Sequence, residues 1–211
     1  MATMLERNKK TKAPQKTRAE HYEDALYREV WEEVNNEKTM QFIKKYSKHI
    51  MIAAFVIFGD PELTTACADA LLKKAPEYDY LISAEAKGIP LVHEMARIAG
   101  NQKYFLARKA PKLYMSGVFE VNVRSITTAR EQKLYLDTAD AELMKGKRIL
   151  IVDDVISTGE SLAAIEHLVE LAGGNVCGKM TILAEGDAQE REDLIYLEKL
   201  PLFNADGTVK A

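Results

Sequence analysis

The sequence predicts an α/β domain: a parallel sheet flanked by helices, with a β-ribbon inserted ahead of its central strand. Three observations carry that prediction. Ile149-Leu150-Ile151-Val152 is an unbroken apolar run rich in β-branched residues, which reads as a parallel strand buried on both faces. Strand-like and amphipathic helical segments alternate between residues 49 and 184, the order that builds βαβ units. Between 118 and 136 the period changes, because Phe119, Val121 and Val123 alternate with Glu120, Asn122 and Arg124.

The elements follow in order. Residues 1–18 are polar, with Arg7, Lys9, Lys10, Lys12, Lys16 and Arg18 crowded together. Tyr22, Leu26, Val30 and Val34 recur at helical spacing within a segment running from 19 to 46. His49 to Phe58 is a strand candidate closed by Gly59. Asp60-Pro61-Glu62 then opens a helix: the aspartate caps, proline suits the first position, and the glutamate complements the dipole. Pro76 marks its limit. Tyr80 to Ala84 is a short strand, Pro90 to Ala99 a helix stopped by Gly100, and Tyr104 to Ala107 another strand. The ribbon turns at Thr127 to Arg130 and returns through Lys133 to Leu136. After the strand at 149–152, Ser161 to Ala172 is a helix ended by Gly173-Gly174, and Lys179 to Ala184 is a further strand. The apolar tail Leu194 to Phe203 packs back onto the domain.

Composition bounds the function. The 211 residues, 47% hydrophobic with a net charge of −3, fit one domain with appendages and give no global signal for nucleic acid. Cys67 and Cys177 are far apart without metal-type spacing, and His21, His49, His93 and His167 show no ligand spacing, so a reduced cytoplasmic chain is the plain reading. The apolar run Ile50 to Phe58 is too short to span a bilayer, and the basic N-terminus lacks the apolar region of a secretory signal.

The chemistry concentrates after residue 152. Asp153 and Asp154 emerge where the buried strand gives out, and open α/β sheets bind ligands at the carboxyl ends of their strands. Ser157, Thr158, Gly159, Glu160 and Ser161 then offer backbone N–H groups at a helix N-terminus, which suits a phosphate dianion. Acceptor-only carboxylates suit ribose hydroxyls and the water shell of Mg²⁺. Two acids and a Thr-Gly loop by themselves also fit a receiver-like or other nucleotide-binding edge.

The stretch Val152-Asp153-Asp154-Val155-Ile156-Ser157-Thr158-Gly159-Glu160-Ser161 resembles the 5-phosphoribosyl-1-pyrophosphate (PRPP) motif of type I phosphoribosyltransferases. The resemblance implies that Asp153 and Asp154 contact the ribose, and Mg²⁺ through water, and that the loop 157–161 wraps the 5′-phosphate. Glu160 stands where the family often has Gly or Lys, so its backbone rather than its carboxylate is expected to matter. Ala84-Glu85-Ala86-Lys87-Gly88-Ile89-Pro90 has the same strand-end, small-residue, helix-start character, with Lys87 as a cation and Gly88 permitting unusual dihedrals. It is similar to the family's pyrophosphate loop in the form carried by adenine and xanthine enzymes, which implies a non-proline cis peptide between Ala84 and Lys87. Arg108-Lys109-Ala110-Pro111-Lys112 follows the next strand, and its cations suit departing pyrophosphate. Arg108-Lys109 resembles the start of the mobile loop in the purine branch. By that likeness 113–137 is a lid that excludes water, and Lys109 joins the acids as a catalytic group.

The resemblance thus implies a type I phosphoribosyltransferase core over 49–190, with residues 1–48 as a basic tail and helical segment serving as hood or dimer contact and 191–211 as a C-terminal hood segment. It implies a homodimer using PRPP, Mg²⁺ and a purine base, adenine first and an oxopurine such as xanthine second. Phe203 is a candidate for stacking on that base. The lid departs from adenine enzymes, which carry a Tyr-Glu-Leu-Glu-Tyr stretch. Ser125-Ile126-Thr127-Thr128-Ala129 stands there without a carboxylate, and Glu120 and Glu131 are off register. The rival reading is a PRPP-sensing transcriptional regulator of the purine-repressor kind, which looks similar around Lys87-Gly88-Ile89-Pro90. Against it, residues 1–48 lack hairpin signals for a winged helix, although a basic tail suits phosphate backbones.

Overall fold

A computed structural model describes residues 51–52, 55–123 and 132–203 of the protein. In chain order its elements are β1 (Met51–Ile52), α1 (Pro61–Leu72), β2 (Tyr80–Ala84), α2 (Ile89–Ala99), β3 (Phe105–Ala107), β4 (Val118–Val123) and β5 (Gln132–Asp137). These are followed by α3 (Thr138–Met144), β6 (Arg148–Ile156), α4 (Glu160–Leu171), β7 (Asn175–Glu185), a 3₁₀ turn (Gly186–Glu190), β8 (Ile195–Leu200) and β9 (Leu202–Phe203). Five strands form one sheet in the order β3-β2-β6-β7-β8, and each neighbouring pair is parallel. From β2 the chain crosses through α2 to one edge; from β6 it crosses through α4 towards the other. Adjacent β2 and β6 are therefore the switch point, outside whose carboxyl ends a ligand crevice opens.

The unbroken apolar runs bury both sheet faces. Leu81, Leu150, Val152 and Met180 pack with Leu71, Leu91 and Met95 from α1 and α2. Ile82, Ile149 and Ile151 face the opposite way, against Met144 of α3, Leu162, Ile165 and Leu168 of α4, and Leu134 and Leu136 of the ribbon. Burial of a fully apolar side chain contributes about 1.5–3 kcal/mol, so these central strands form a rigid platform. Asp60 caps α1 as expected, its Oδ1 accepting from the Leu63 N–H at 2.9 Å.

The strand expected over His49 to Phe58 is corrected. Among the described residues of that span, 51–52 and 55–58, only Met51–Ile52 is a strand, and it pairs antiparallel with β9 outside the main sheet. Phe55 and Ile57 are buried while Val56 and Phe58 are exposed, so the alternation reflects packing without a neighbouring strand. β6 runs beyond Val152 to Ile156 because the longer β7 continues beside it, with Asp153 opposite Thr181 and Ile156 opposite Ala184. The acids thus sit within the strand's last turns of pleat rather than after it. α3 was not anticipated; Asp137 caps it, accepting from the Ala139 N–H at 3.1 Å. The tail segment supplies β8, the fifth strand of the sheet. The expected helical segment at 19–46, the basic tail and the ribbon turn at 127–130 lie outside the described residues.

Candidate active site

At the end of β2 the chain turns through Glu85-Ala86-Lys87-Gly88 into α2, and the Glu85–Ala86 peptide is cis, within the stretch where the sequence resemblance placed one. Gly88 has ordinary right-handed dihedrals, φ −69° and ψ −10°, which corrects the expectation of unusual ones. Its lack of a side chain matters for space instead. A Cβ there would lie 2.1 Å from Ser83 Oγ and 2.8 Å from Asp153 Oδ1. The glycine lets the loop of β2 close over the acid of β6.

The two acids divide the work. Alternation along β6 turns their side chains to opposite sides. Asp153 faces the crevice at Gly88, and its Oδ1 accepts from the Asp154 N–H at 2.9 Å. Asp154 is 4% exposed, and its Oδ2 stands 3.3 Å from Lys87 Nζ while accepting no hydrogen bond among the described residues. Withdrawal from solvent, and then the neighbouring Asp154 charge, drive the Asp153 carboxyl well above the usual carboxylate range. Like charges held this close call for a counter-charge, and Lys87 alone supplies part of it. The pair fits a hydrated Mg²⁺, which prefers a few carboxylate oxygens plus water and substrate oxygens. Among the described residues no three His, Cys, Asp or Glu side chains gather as a metal cage, so such an ion would complete its shell outside the protein.

Glu85 joins the loop to the basic cluster. Because Ala84 lies opposite Ala107 in the β2–β3 pair, residues 85 and 108 leave the sheet side by side. Arg108 Nη1 donates to Glu85 Oε1 at 2.7 Å, the Lys109 N–H donates to Oε2 at 2.9 Å, and Lys112 Nζ stands 3.9 Å from Oε1. Burial pushes the Glu85 carboxyl up, but the Lys109 N–H and the Arg108 guanidinium override it and hold the group below its ordinary value. Arg108 is further pinned to the ribbon: its N–H and carbonyl exchange 2.8 Å bonds with Tyr135. Lys109 is exposed, and its ammonium forms no ion pair among the described residues. The stem of the expected lid is thus anchored, with Val121 and Leu134 in the core. Glu120 is tied to Lys133 at 2.5 Å, while Ser125 to Ala129 and Glu131 lie outside the described residues.

Beyond β6, Ser157 to Ser161 encircle a cavity of about 80 Å³ lined also by Ile151, Asp153, Val155 and Ile156. That is room for roughly five water-sized groups, a phosphate and not a nucleotide. Gly159 precedes α4 with φ +77°, a left-handed conformation that glycine adopts without strain. The Glu160 N–H lies 3.5 Å from Thr158 Oγ1. Two participants escaped the sequence reading. Arg191, gripped by Asp193 at 2.7 and 2.9 Å, brings Nη1 to 3.0 Å from where a Gly159 Cβ would sit. Ser83, fully buried beneath Gly88, has an Oγ without a hydrogen-bond partner among the described residues. Nothing in their local sequence marks them. Phe203 ends β9, opposite Met51.

The fold and the site define an α/β domain with an acid pair, a basic cluster and a small cavity gathered at the carboxyl ends of its strands. A phosphoribosyl transferase domain model matches residues 61–201. The hypoxanthine/guanine phosphoribosyltransferase of Methanococcus maripaludis is 32% identical over 156 residues, 72% of this chain and 80% of that one. The xanthine phosphoribosyltransferase of Clostridioides difficile is 28% identical over 144 residues, 65% and 75% of the two chains. Among solved structures, the adenine phosphoribosyltransferase of Thermoanaerobacter pseudethanolicus aligns with a TM-score of 0.59 at 22% identity, over 76% of this chain and 99% of that one, a likeness of fold. The chain belongs to the phosphoribosyl transferase domain family, in the purine branch of its type I fold.

Proposed function

We propose that the protein transfers the 5-phosphoribosyl group of PRPP to adenine, giving a nucleoside monophosphate and pyrophosphate in purine salvage, and that turnover needs Mg²⁺. The observation that carries this reading is the crowded acid pair at the switch point, closed over by the Lys87-Gly88 loop and flanked by a phosphate-sized cavity. Asp153 and Asp154 hold the ribose and stabilise positive charge as it develops at C1. The N–H groups of 157–161 anchor the 5′-phosphate at one end. Lys87, Arg108, Lys109 and Lys112 receive the departing pyrophosphate at the other, with the 85–88 peptides lining its path. Mg²⁺, held at the acids through water, supplies charge neutralisation for PRPP. Positioning and electrostatics do most of the catalysis, since little covalent work falls to the protein.

The Glu85-Ala86-Lys87-Gly88 form of the loop, which resembles that of adenine and xanthine enzymes alike, is consistent with adenine as first choice. An oxopurine is the second reading, favoured by the 32% identical hypoxanthine/guanine relative. We place the enzyme in the cytoplasm as a homodimer, with residues 1–48 as hood or contact and the ribbon tip as lid; the C-terminal segment expected in the hood supplies β8 of the main sheet instead. No described helix is long and apolar enough to cross a membrane. The regulator alternative turns on residues 1–48, outside the described residues. Incubation with PRPP, Mg²⁺ and a panel of bases tests the reading: one nucleotide is expected, and PRPP binding without product from any base would favour the regulator.

A further inference from the structure

Arg191 and Asp193 lie between the 3₁₀ turn and β8, in a segment that the fold holds firmly. Ala188 and Leu194 are buried in the core, Gln189 Nε2 donates to the Leu200 carbonyl at 2.9 Å, and the Tyr196 hydroxyl donates to the Gln189 carbonyl at 3.2 Å. From this base Asp193 grips Arg191 through both oxygens, Oδ1 accepting from Nε at 2.9 Å and Oδ2 from Nη2 at 2.7 Å. Oδ2 also accepts from Lys179 Nζ of β7 at 2.7 Å, and Lys179 is paired in turn with Glu166 of α4. The Arg191 and Lys179 contacts hold the Asp193 carboxyl down at about 2, so this node stays anionic through the neutral range. Isolated surface ion pairs contribute little, but a bidentate guanidinium pair within a network keeps its geometry.

That network sets the guanidinium against the phosphate loop. Nε and Nη2 are engaged by Asp193, while Nη1 lies 3.0 Å from the point a Gly159 Cβ would occupy, with Cζ at 3.9 Å. The guanidinium thus fills the space of the side chain that Gly159 lacks, at the residue whose φ of +77° turns the loop into α4. Gly159 and its neighbours line the cavity of about 80 Å³, and Arg191 is not part of that lining. It therefore acts on the loop rather than within the cavity. α4 is held at two places, its N-cap against Arg191 and Glu166 against Lys179, and one carboxylate joins both cations. Glycine resists other backbone conformations least, and backbone N–H groups bind a phosphate only when they converge on it.

Resting on the reading that 157–161 anchors the 5′-phosphate of PRPP, we propose that Arg191, held by Asp193, is a positioning residue for that loop. It backs Gly159 and keeps the 157–161 peptides in the shape that receives the phosphate. The pyrophosphate end of the ligand, assigned to the loop after β2, does not depend on it. An anchor remote from the reacting carbon holds ground state and transition state alike, so its loss is read in KM rather than in kcat.

The test measures Kd for ribose 5-phosphate, which carries the 5′-phosphate alone, and for pyrophosphate with Mg²⁺, together with kcat and KM for PRPP. Arg191→Ala should weaken ribose 5-phosphate by about tenfold or more, leave pyrophosphate within about twofold, and raise KM for PRPP by about tenfold with kcat within about threefold. Asp193→Asn keeps the guanidinium but loosens its grip, and should give the same pattern at about threefold. Equal weakening of both ligands marks a general structural role and overturns the assignment, as does unchanged ribose 5-phosphate affinity in Arg191→Ala. Should that variant fail to fold, Arg191→Lys replaces it: selective weakening of ribose 5-phosphate by about threefold is expected, because an ammonium cannot reproduce the fork, and wild-type affinity overturns the proposal. A wild type that does not bind ribose 5-phosphate removes the phosphate site and this assignment with it. Ribose 5-phosphate binding that depends on Arg191 upholds the assignment even where no base yields a nucleotide, an outcome that defeats the transfer reading alone.

Discussion

Gly88→Ala adds one methyl group where two strand ends meet. The new Cβ would lie 2.1 Å from Ser83 Oγ and 2.8 Å from Asp153 Oδ1. Non-bonded contacts settle near about 3.5 Å, so the gaps fall short by roughly 1.4 and 0.7 Å. Ser83 is fully buried on β2 and cannot swing into solvent, and Asp153 is held by the Asp154 N–H at 2.9 Å. Either the 85–88 loop lifts or the acid moves. Overpacking of this kind costs about 1–3 kcal/mol, and at about 2–4 °C per kcal/mol for a chain of this size the Tm should fall by roughly 2–12 °C. A displacement near 1 Å at a reacting group costs about 100-fold in rate, so kcat/KM for PRPP should drop by about that factor. Ser83→Ala combined with Gly88→Ala relieves the nearer clash and leaves the one with Asp153. The double variant should recover much of the Tm and little of the activity. Thermal denaturation and steady-state kinetics measure both. A Gly88→Ala enzyme within twofold of wild type in kcat/KM would refute the claim that the loop must close onto Asp153.

Other outcomes follow from the same geometry. Asp153→Asn with Asp154→Asn should abolish turnover, by about 10²–10³-fold or more, with an unchanged circular dichroism spectrum; retained activity removes their proposed role. Burial pushes Asp153 up to about 8 from an ordinary 3.8, so the native state holds that proton more tightly than the unfolded chain. Stability from this group is therefore fully present below about pH 4 and is lost as pH rises towards about 8. Denaturation against pH should show that decline in the ligand-free protein, and Asp153→Asn should flatten it. Arg108→Lys loses the planar contact with Glu85 and should raise the KM for PRPP by roughly tenfold, since an ammonium does not replace a guanidinium fork. The Cys67 thiol, fully buried and pushed up to about 12, should resist a thiol reagent at pH 8 until denaturant is added. Prompt labelling of the native protein at Cys67 would contradict its place in the core.

What the sequence could and could not reveal divides along physical lines. β6 and α4 were legible because an apolar β-branched run and a helical stripe are local patterns, and local patterns survive into the fold. The acids and the loop 157–161 could be read as a site because strand end, small residues and helix start are contiguous. Contacts across strands were not legible. Glu85 meets Arg108 only because Ala84 pairs with Ala107, a register no stretch of sequence displays. The extension of β6 to Ile156 depends on the length of β7, 19 residues further on at its start. β8 was read merely as an apolar tail because Ile195 to Leu200 carries Glu198 and Lys199, as an edge strand does, and so lacks the unbroken apolar signature of β6. α3 is 7 residues long, too short for periodicity to announce it, although Asp137-Thr138 was a usable capping signal. Gly88 was correctly singled out and wrongly explained: the demand is for room beside Ser83 and Asp153, visible only once both strands are placed.

The central claim is that paired aspartates at the β2–β6 switch point hold the ribose of PRPP while a base displaces pyrophosphate. Pyrophosphate release from PRPP and Mg²⁺, with and without adenine, measures it most directly in the wild type and in the Asp153→Asn, Asp154→Asn double variant. The account predicts base-dependent release of one pyrophosphate per nucleotide formed in the wild type, and none in the folded double variant. Equal release from both proteins, or none from the wild type with any purine, would contradict it.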